Sequence, residues 1–308
     1  MRIFVTGASG WIGSAVVPEL VDAGHRVVGL ARSDASAAAL TAAGAEAVRG
    51  TVDDLDVLRD AAAASDGVIH LAFKHDIAFG GGFQDAAEAD RRAVDALGDA
   101  LTGTDRPFVL ASGVVGLAPG RVATERDMPT LDGSPVATRA ATAQAVLALA
   151  SRGVRSSVVR LSPTCHGEGD NGFMTTLVAI ARDRGVSGYP GDGANRWPAV
   201  HRLDAARLFR LAAEQAPAGS MLHGVAEEGV AIRDVAEVIG RHLGVPVTSV
   251  APEAAVEHFA WLGAFLGADS PASNTLTREL LGWEPNHPGL LQDLDKGHYF
   301  HTAAASTS

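Results

Sequence analysis

Three glycines near the start of the chain have the spacing of a phosphate-binding turn. Gly7, Gly10 and Gly13 directly follow the apolar run 3–6, within the sequence GASGWIG. The first allows a tight turn, the second lets a pyrophosphate approach the backbone, and the third permits close packing of the next helix. The sequence therefore predicts a dinucleotide site, with a ligand-free glycine turn as the alternative. The predicted contacts in this turn are Gly7, Ser9, Gly10, Trp11, Ile12 and Gly13.

The second apolar run ends in VVGLARSD, where dinucleotide sites distinguish the two nicotinamide cofactors. An acidic residue there binds a free ribose 2′-hydroxyl, whereas an arginine binds a 2′-phosphate. The position carries Arg32 and Ser33, and a guanidinium and a hydroxyl can both donate to a phosphate. NADP(H) is therefore the predicted cofactor. In the alternative, Arg32 is a solvated surface residue and Asp34 binds the ribose.

The elements that must position these residues follow a repeated pattern. Apolar runs of strand length alternate with Ala-rich segments of helix length up to about residue 165, which is typical of βαβ units on a parallel sheet. We predict an α/β, doubly wound Rossmann-type sheet with a smaller, mixed C-terminal substrate domain. The predicted boundaries are 1–165 for the dinucleotide-binding domain, 166–300 for the mainly substrate-binding region and 301–308 for a flexible tail. The predicted strands of the sheet are 3–6, 26–31, 47–49, 67–72, 107–112 and 156–161.

Composition narrows the classes of partner. The 308 residues carry a formal net charge of -11 and show no basic stripe, which argues against a nucleic-acid or anionic-membrane partner. Cys165 is the single cysteine, so an intramolecular disulfide and a cysteine zinc site are excluded. No histidine pair has metal-ligand spacing, and we predict no metal. No secretion signal or long apolar run is evident, so a cytoplasmic protein with a small-molecule substrate is expected, and a homodimer is left open.

Five motifs together resemble the short-chain dehydrogenase/reductase superfamily, in its extended or atypical branch related to nucleotide-sugar epimerases and dehydratases. The resemblance spans nearly the whole chain. The motifs are TGASGWIG at 6–13, DGVIHLA at 66–72, VLAS at 109–112, VVRLSP at 158–163 and LGWEP at 281–285.

The resemblance implies further contacts after the third, fourth and sixth strands, with ordinary packing as the alternative for each. Thr51 stands beside the adenine where the family commonly has an aspartate. Ser112 matches the family's catalytic serine or threonine. The other implied dinucleotide contacts are Val52, Leu71, Ala72, Phe73, Leu161, Ser162 and Pro163.

The chain departs from the family at its catalytic pair. The helix expected to carry Tyr-x-x-x-Lys reads PVATR, which puts Pro135 at the tyrosine place and Arg139 at the lysine place. In the family a tyrosine, its pKa lowered by the lysine, protonates the developing alkoxide as hydride arrives. Arg139 can bind the nicotinamide ribose and supply positive charge, but with a pKa above about 12 it is a poor proton donor. The alternative for Arg139 is a cation on the helix surface.

Other side chains are candidates for the missing acid. Tyr189 precedes GDGANRWPAVH in an expected loop and is the first choice. Lys74 and His75 follow the fourth strand directly and are further candidates, with a solvated loop as their alternative. The segment 256–266 has apolar side chains on two faces, which fits a core helix, a dimer contact or a lid over the substrate. The predicted substrate contacts are His75, His166, Trp197, His201 and Trp261.

These observations favour an NADPH-dependent oxidoreductase acting on a small, partly apolar carbonyl, imine or activated alkene. A nucleotide-sugar epimerase or dehydratase is the second interpretation, although such enzymes generally use the tyrosine pair. A non-catalytic NADP-binding sensor is the third, because it tolerates the loss of both catalytic residues.

Overall fold

A computed structural model of the chain describes residues 1–118, 120–130 and 135–301. The strands are β1 Arg2–Thr6, β2 Arg26–Ala31, β3 Glu46–Arg49, β4 Gly67–His70, β5 Pro107–Gly113, β6 Arg155–Leu161, β7 Thr164–His166, β8 Ser187–Pro190, β9 Arg196–His201, β10 Ser220–Gly224, β11 Glu227–Ala231 and β12 Val247–Val250. The helices are α1 Gly13–Asp22, α2 Asp34–Ala42, α3 Leu55–Ala63, α4 His75–Ile77, α5 Phe83–Leu101, α6 Pro135–Ala148, α7 Phe173–Arg184, α8 Arg202–Gln215, α9 Ile232–Leu243, α10 Ala255–Phe259, α11 Thr275–Leu281 and α12 Leu290–Asp295. None of the helices in these described ranges is long and apolar enough to cross a membrane.

The largest element is a seven-stranded sheet in the order β10-β6-β5-β4-β1-β2-β3. Its neighbouring strands all pair in parallel. The predicted doubly wound α/β fold is confirmed, and all six predicted strands are present. The strand order reverses between β1 and β4, and ligands of such sheets bind in the crevice at the carboxyl ends beside that reversal. The glycine turn after β1 lies there.

Two apolar layers cover the sheet because its strands alternate their side chains between the faces. On one face, Ile3 and Val5 pack with α1 and α8, including Phe209. On the other face, Phe4 and Phe108 pack with residues of α3, α5 and α6. Each fully buried large apolar side chain contributes about 1.5–3 kcal/mol. The sheet therefore forms a stable frame from which the loops at its carboxyl edge project.

The remaining strands form two small sheets in the C-terminal half, ordered β11-β9-β7 and β12-β8. They share a core with α7 and α9 that includes Trp197, Leu177 and Ile239. The helix α8 and the strand β10 return to the large sheet, so that sheet is not built from residues 1–165 alone. The domain boundary at residue 165 stays a prediction. Residues 302–308 of the predicted tail lie outside the described residues.

The segment 256–266 is not the single helix considered from the sequence. The helix α10 ends at Phe259, because Ala260 adopts a positive φ of 51° that no regular helix accommodates. The chain then folds back in a 3-10 turn, and a Cβ on Gly263 would lie 2.2 Å from the carbonyl oxygen of Ala255. Phe259 and Leu262 are buried in the core, whereas Trp261 is 39% exposed. One side of the segment is core and the other reaches the surface.

Candidate dinucleotide and active site

The glycine turn after β1 has the geometry of a phosphate cradle. Gly7 has a φ of +65°, and a Cβ on Gly13 would lie 2.1 Å from the Gly7 carbonyl oxygen. Gly10 donates its backbone N–H to the same oxygen at 2.9 Å. No side chain caps the N-terminus of α1. Backbone N–H groups and the positive end of the helix dipole are therefore available to an anion, and these residues fit a dinucleotide pyrophosphate.

The side chains at the end of β2 differ in their surroundings. Arg32 is exposed. Ser33 caps α2 through a reciprocal arrangement with Ser36, so its hydroxyl already has a structural role. Asp34 forms an ion pair with Arg49 at 3.2 Å. That exposed ion pair brings a second arginine beside this strand end.

The loops after β3 and β4 are joined by an ion pair. The Lys74 ammonium lies 2.8 and 2.7 Å from the two carboxylate oxygens of Asp53. Thr51 donates its N–H and its hydroxyl to Asp54, at 2.7 and 2.9 Å. Lys74 is therefore bound to the loop that the resemblance places beside the adenine.

A buried polar chain crosses the sheet between the glycine turn and α5. The Thr6 hydroxyl lies 2.7 Å from Nδ1 of His70, and the backbone N–H of Ala72 donates to the same hydroxyl at 3.3 Å. On the other side of the ring, Nε2 of His70 lies 3.2 Å from the Asp90 carboxylate. Asp90 is only 5% exposed. A carboxylate so deeply buried needs such a donor, and a nearby cation stabilises its charge further.

Arg139 of α6 is that cation. Its guanidinium carbon lies 3.7 Å from the centre of the Phe73 ring, within the range of a cation–π contact. Desolvation lowers the pKa of Arg139, and the negative charge of Asp90 opposes the shift. Desolvation and then the charge of Arg139 lower the pKa of His75 to about 4, although part of that side chain reaches the surface. A fixed positive charge therefore stands beside the loop that follows β4.

Ser112 lies near the carboxyl end of β5, on the same side of the sheet as α6. Phe108 and Leu110 pack with Val146 and Leu149 on that side, and Ser112 follows Leu110 by two positions along the strand. The Ser112 side chain is half-buried. Ser112 of β5 and Arg139 of α6 thus both belong to the side of the sheet that α6 covers.

A comparison with family models agrees with the resemblance that the sequence motifs indicate. The model of the NAD dependent epimerase/dehydratase family matches residues 3–222, which span the seven strands of the large sheet except for Arg2 of β1 and the last two residues of β10. The chain belongs to this family.

Relatives and solved structures agree with that membership. An uncharacterised protein of Schizosaccharomyces pombe is 48% identical over 302 residues, covering 97% of this chain and all of the relative. A 4-hydroxy-2-methyl-3-oxo-4-farnesyl-3,4-dihydroquinoline-1-oxide ketoreductase of Stigmatella aurantiaca is 29% identical over 239 residues, covering 72% of this chain and 67% of that protein. MoeE5, solved in complex with UDP-glucose and NAD, is 25% identical with a TM-score of 0.75, covering 96% of each chain.

Several predicted contacts of this epimerase/dehydratase family member have structural partners inside the protein. His166 is buried and lies 3.0 Å from the Asp293 carboxylate through Nδ1. Trp197 is buried and donates its indole N–H to the Ala268 carbonyl at 3.1 Å. His201 caps α8 by accepting the Leu203 N–H. The three residues are therefore buried in this structure, and their predicted contact with a substrate stays a prediction.

Tyr189 does not lie in a loop, which corrects the expectation from its Gly-rich surroundings. It lies on β8, pairs in register with Ser249, and packs against the C-terminal core. The Arg233 guanidinium carbon is 5.6 Å from the centre of its ring. Among the described residues, no hydrogen bond or ring contact joins Tyr189 to Ser112 or Arg139.

The sequence analysis missed Asp90 and the ring of His70. Asp90 interrupts an otherwise small and apolar helix face that includes Ala86, Ala93 and Leu97, all buried. An acidic residue on a core-facing stripe is the signal that could have identified it. The Ser162 hydroxyl donates to the Gly224 carbonyl at 3.0 Å, and its contact with the dinucleotide stays a prediction.

Proposed function

We propose that the protein is an NADPH-dependent oxidoreductase that reduces a small, partly apolar carbonyl, imine or activated alkene. The observation that carries the proposal is the Arg139 guanidinium, which stacks on Phe73 and is electrostatically linked to Asp90 beside the dinucleotide crevice. In this interpretation Pro135 and Arg139 occupy the places of the family's tyrosine and lysine, so the proton donor is missing and a fixed cation stands where the family has its lysine.

This arrangement stabilises charge without transferring a proton. When bound, the reduced nicotinamide supplies hydride to the acceptor. Arg139 stabilises the negative charge that develops on the oxygen of a carbonyl acceptor, and its position is fixed before the reaction by Phe73 and Asp90. Ser112 is half-buried and orients the acceptor by a hydrogen bond. A carbonyl acceptor must take its proton from water, whereas an iminium already carries its proton and becomes neutral on reduction, so it is the acceptor least affected by the missing acid.

The surroundings of the other candidate acids make each of them a poor proton donor, which supports a reaction without a side-chain acid. The Lys74 ammonium is paired with Asp53. A pKa of about 4 keeps His75 neutral at physiological pH. Tyr189 packs in the C-terminal core. Of the four residues that the sequence favoured for catalysis, we therefore propose direct roles for Ser112 and Arg139.

The preference for NADPH is supported by the charges at the end of β2. Arg32 is exposed, and Arg49 is held nearby through Asp34. Two guanidinium groups suit a 2′-phosphate better than a neutral hydroxyl. Asp34, which would bind the ribose in the alternative interpretation, lies in an exposed ion pair with Arg49.

A cluster of aromatic side chains supports the proposal that the acceptor is partly apolar. Phe173 at the start of α7 contacts Trp261 and Phe265, with ring centres 5.5 and 5.7 Å apart. Trp261 is the exposed member of this group. We propose that its ring forms an apolar wall of the substrate site.

A nucleotide-sugar epimerase or dehydratase is the second candidate, favoured by the UDP-glucose and NAD bound to MoeE5. The ketoreductase from Stigmatella favours carbonyl reduction instead. We regard the reductase as the better proposal because Pro135 has no proton to exchange with a sugar hydroxyl.

The test compares cofactor and substrate classes in one preparation. Single-turnover oxidation of NADPH and NADH is followed with panels of ketones, cyclic imines and activated alkenes, alongside product analysis for UDP-glucose with NAD. We expect acceptor-dependent oxidation, faster with NADPH, that falls in Arg139→Met and persists in Tyr189→Phe. Conversion of UDP-glucose would favour the epimerase, and tight NADPH binding without turnover of any compound would favour the sensor.

A further inference from the structure

The helices α1 and α8 lie side by side on one face of the sheet, and both begin at its carboxyl edge. Arg210 of α8 donates to Glu19 of α1 at 2.7 Å, across a sequence separation of 191 residues. The same separation relates Trp11 to Arg202, which are in contact at the other end of the pair. The two helices therefore run parallel and in register, and Arg202 lies beside the first turn of α1.

The contact between Arg202 and Trp11 places a cation beside an aromatic side chain that projects from the glycine turn. The guanidinium carbon of Arg202 lies 4.4 Å from the centre of the Trp11 ring. The indole is fixed from its other side, because its N–H donates to the Cys165 carbonyl at 2.9 Å. Trp11 stands between Gly10 and Ile12, the residues whose backbone would face a pyrophosphate.

The hydrogen-bond and ion-pair partners of Arg202 differ from those of the other arginines on α8. Arg207 donates to the Glu284 carbonyl, and Arg210 is paired with Glu19 and Glu214. Within the described ranges, the Arg202 guanidinium has no hydrogen bond or ion pair, and its side chain is only half-buried. Stacking leaves the N–H groups at the edge of the guanidinium plane free for an oxyanion.

The N-termini of α1 and α8 also differ in whether a side chain caps them. His201 caps α8 with its own side chain, whereas α1 has no side-chain cap. The unsatisfied N–H groups thus belong to the helix beside which Arg202 stands. An anion bound to α1 would meet both backbone donors and a planar guanidinium.

We propose that Arg202 binds the diphosphate of the dinucleotide, with Trp11 as the platform that holds its guanidinium in place. The C-terminal half of the chain thereby contributes a charged contact to a site otherwise formed by the N-terminal βαβ unit. The inference rests on the dinucleotide site of the proposed function, but not on the choice of NADPH or on the acceptor.

The experiment measures dissociation constants for NADP⁺, NAD⁺ and adenosine 2′-monophosphate by calorimetry or competition. Losing a charge-assisted contact to the diphosphate should weaken both dinucleotides by about tenfold to a hundredfold in Arg202→Gln. Adenosine 2′-monophosphate has no diphosphate, so its affinity should change by less than about twofold. Arg202→Lys keeps the charge but loses the planar fork, and an intermediate loss is expected. Arg207→Gln, on the same helix, is the matched control and should leave all three affinities unchanged.

Other outcomes would overturn the assignment. Unchanged dinucleotide affinity in Arg202→Gln, at an unchanged melting temperature, would exclude a diphosphate contact. An equal loss for adenosine 2′-monophosphate would show a general disturbance of the site. Loss of UDP-glucose binding with intact dinucleotide binding would assign Arg202 to a substrate diphosphate instead. Equal affinity of the wild type for NADP⁺ and NAD⁺ would contradict the proposed cofactor preference while leaving the Arg202 effect measurable on both.

Discussion

The electrostatic pairing of Asp90 with Arg139 predicts a measurable coupling in stability. Asp90 is buried, and it also accepts a hydrogen bond from His70. Removing one partner of a fully buried ion pair costs about 3–5 kcal/mol, because the other charge remains without compensation. Among the described residues Asp90 and Arg139 interact through charge and not through a hydrogen-bonded ion pair, and Arg139 is half-buried, so we expect both changes to cost less than that range. Arg139→Met leaves the buried Asp90 charge and should cost about 2 kcal/mol, whereas Asp90→Leu leaves the half-buried Arg139 and should cost about 1 kcal/mol.

The double variant should be more stable than the sum of the two changes predicts, because it leaves no unpaired charge. We expect a coupling free energy of about 1–2 kcal/mol, measured from urea unfolding of the wild type, the two single variants and the double variant. The exposed pair Arg91 and Asp95 on α5, separated by 2.9 Å, provides a matched cycle. That control should couple by about 0.3–0.5 kcal/mol. A coupling for Asp90 and Arg139 no larger than the control would refute the claim that Asp90 fixes Arg139.

Three further outcomes are expected. Arg32→Ala should reduce the preference for NADPH over NADH by about tenfold or more in direct titrations, and an unchanged ratio would exclude Arg32 from the 2′-phosphate site. Gly13→Ala should abolish tight dinucleotide binding, because its Cβ would overlap the Gly7 carbonyl oxygen; normal affinity would contradict the cradle. Burial and then His166 lower the pKa of His201 to about 4, so its contribution to stability is complete above about pH 6.5 and is lost as the pH falls toward 4. Urea unfolding across that interval should show a shallower pH dependence in His201→Gln than in the wild type, and identical slopes would count against this linkage.

The large sheet and the glycine turn were predictable because local sequence determines them. Six of the seven strands were predicted from short runs between Gly-rich or Ala-rich segments, and the run 26–31 coincides with β2, whereas the edge strand β10 was missed. The spacing of Gly7, Gly10 and Gly13 reflects steric contacts within a few residues of the turn. Such features need no knowledge of distant contacts.

The polar networks were not predictable, because their partners are far apart in sequence. His166 pairs with Asp293 across 127 residues, and His70 pairs with Asp90 through the packing of α5 on the sheet. A histidine or tyrosine in a Gly-rich stretch looks exposed until the fold provides its neighbours. Tyr189 lies on a strand for the same reason, since β12 provides its backbone partners from residues 247–250.

The central claim is hydride transfer without a side-chain acid. It is tested most directly by the ratio of the rate constants for an iminium and a ketone. Single-turnover rate constants for NADPH oxidation are measured in stopped flow with a cyclic iminium and with the ketone of the same ring. Loss of general acid catalysis slows a reaction by about 10²- to 10⁴-fold, and only the ketone requires that proton. We predict that the iminium reacts at least about 10²-fold faster than the ketone. A ketone that reacts as fast as the iminium would contradict the account, because a proton donor would then have to stand beside Arg139 and Ser112.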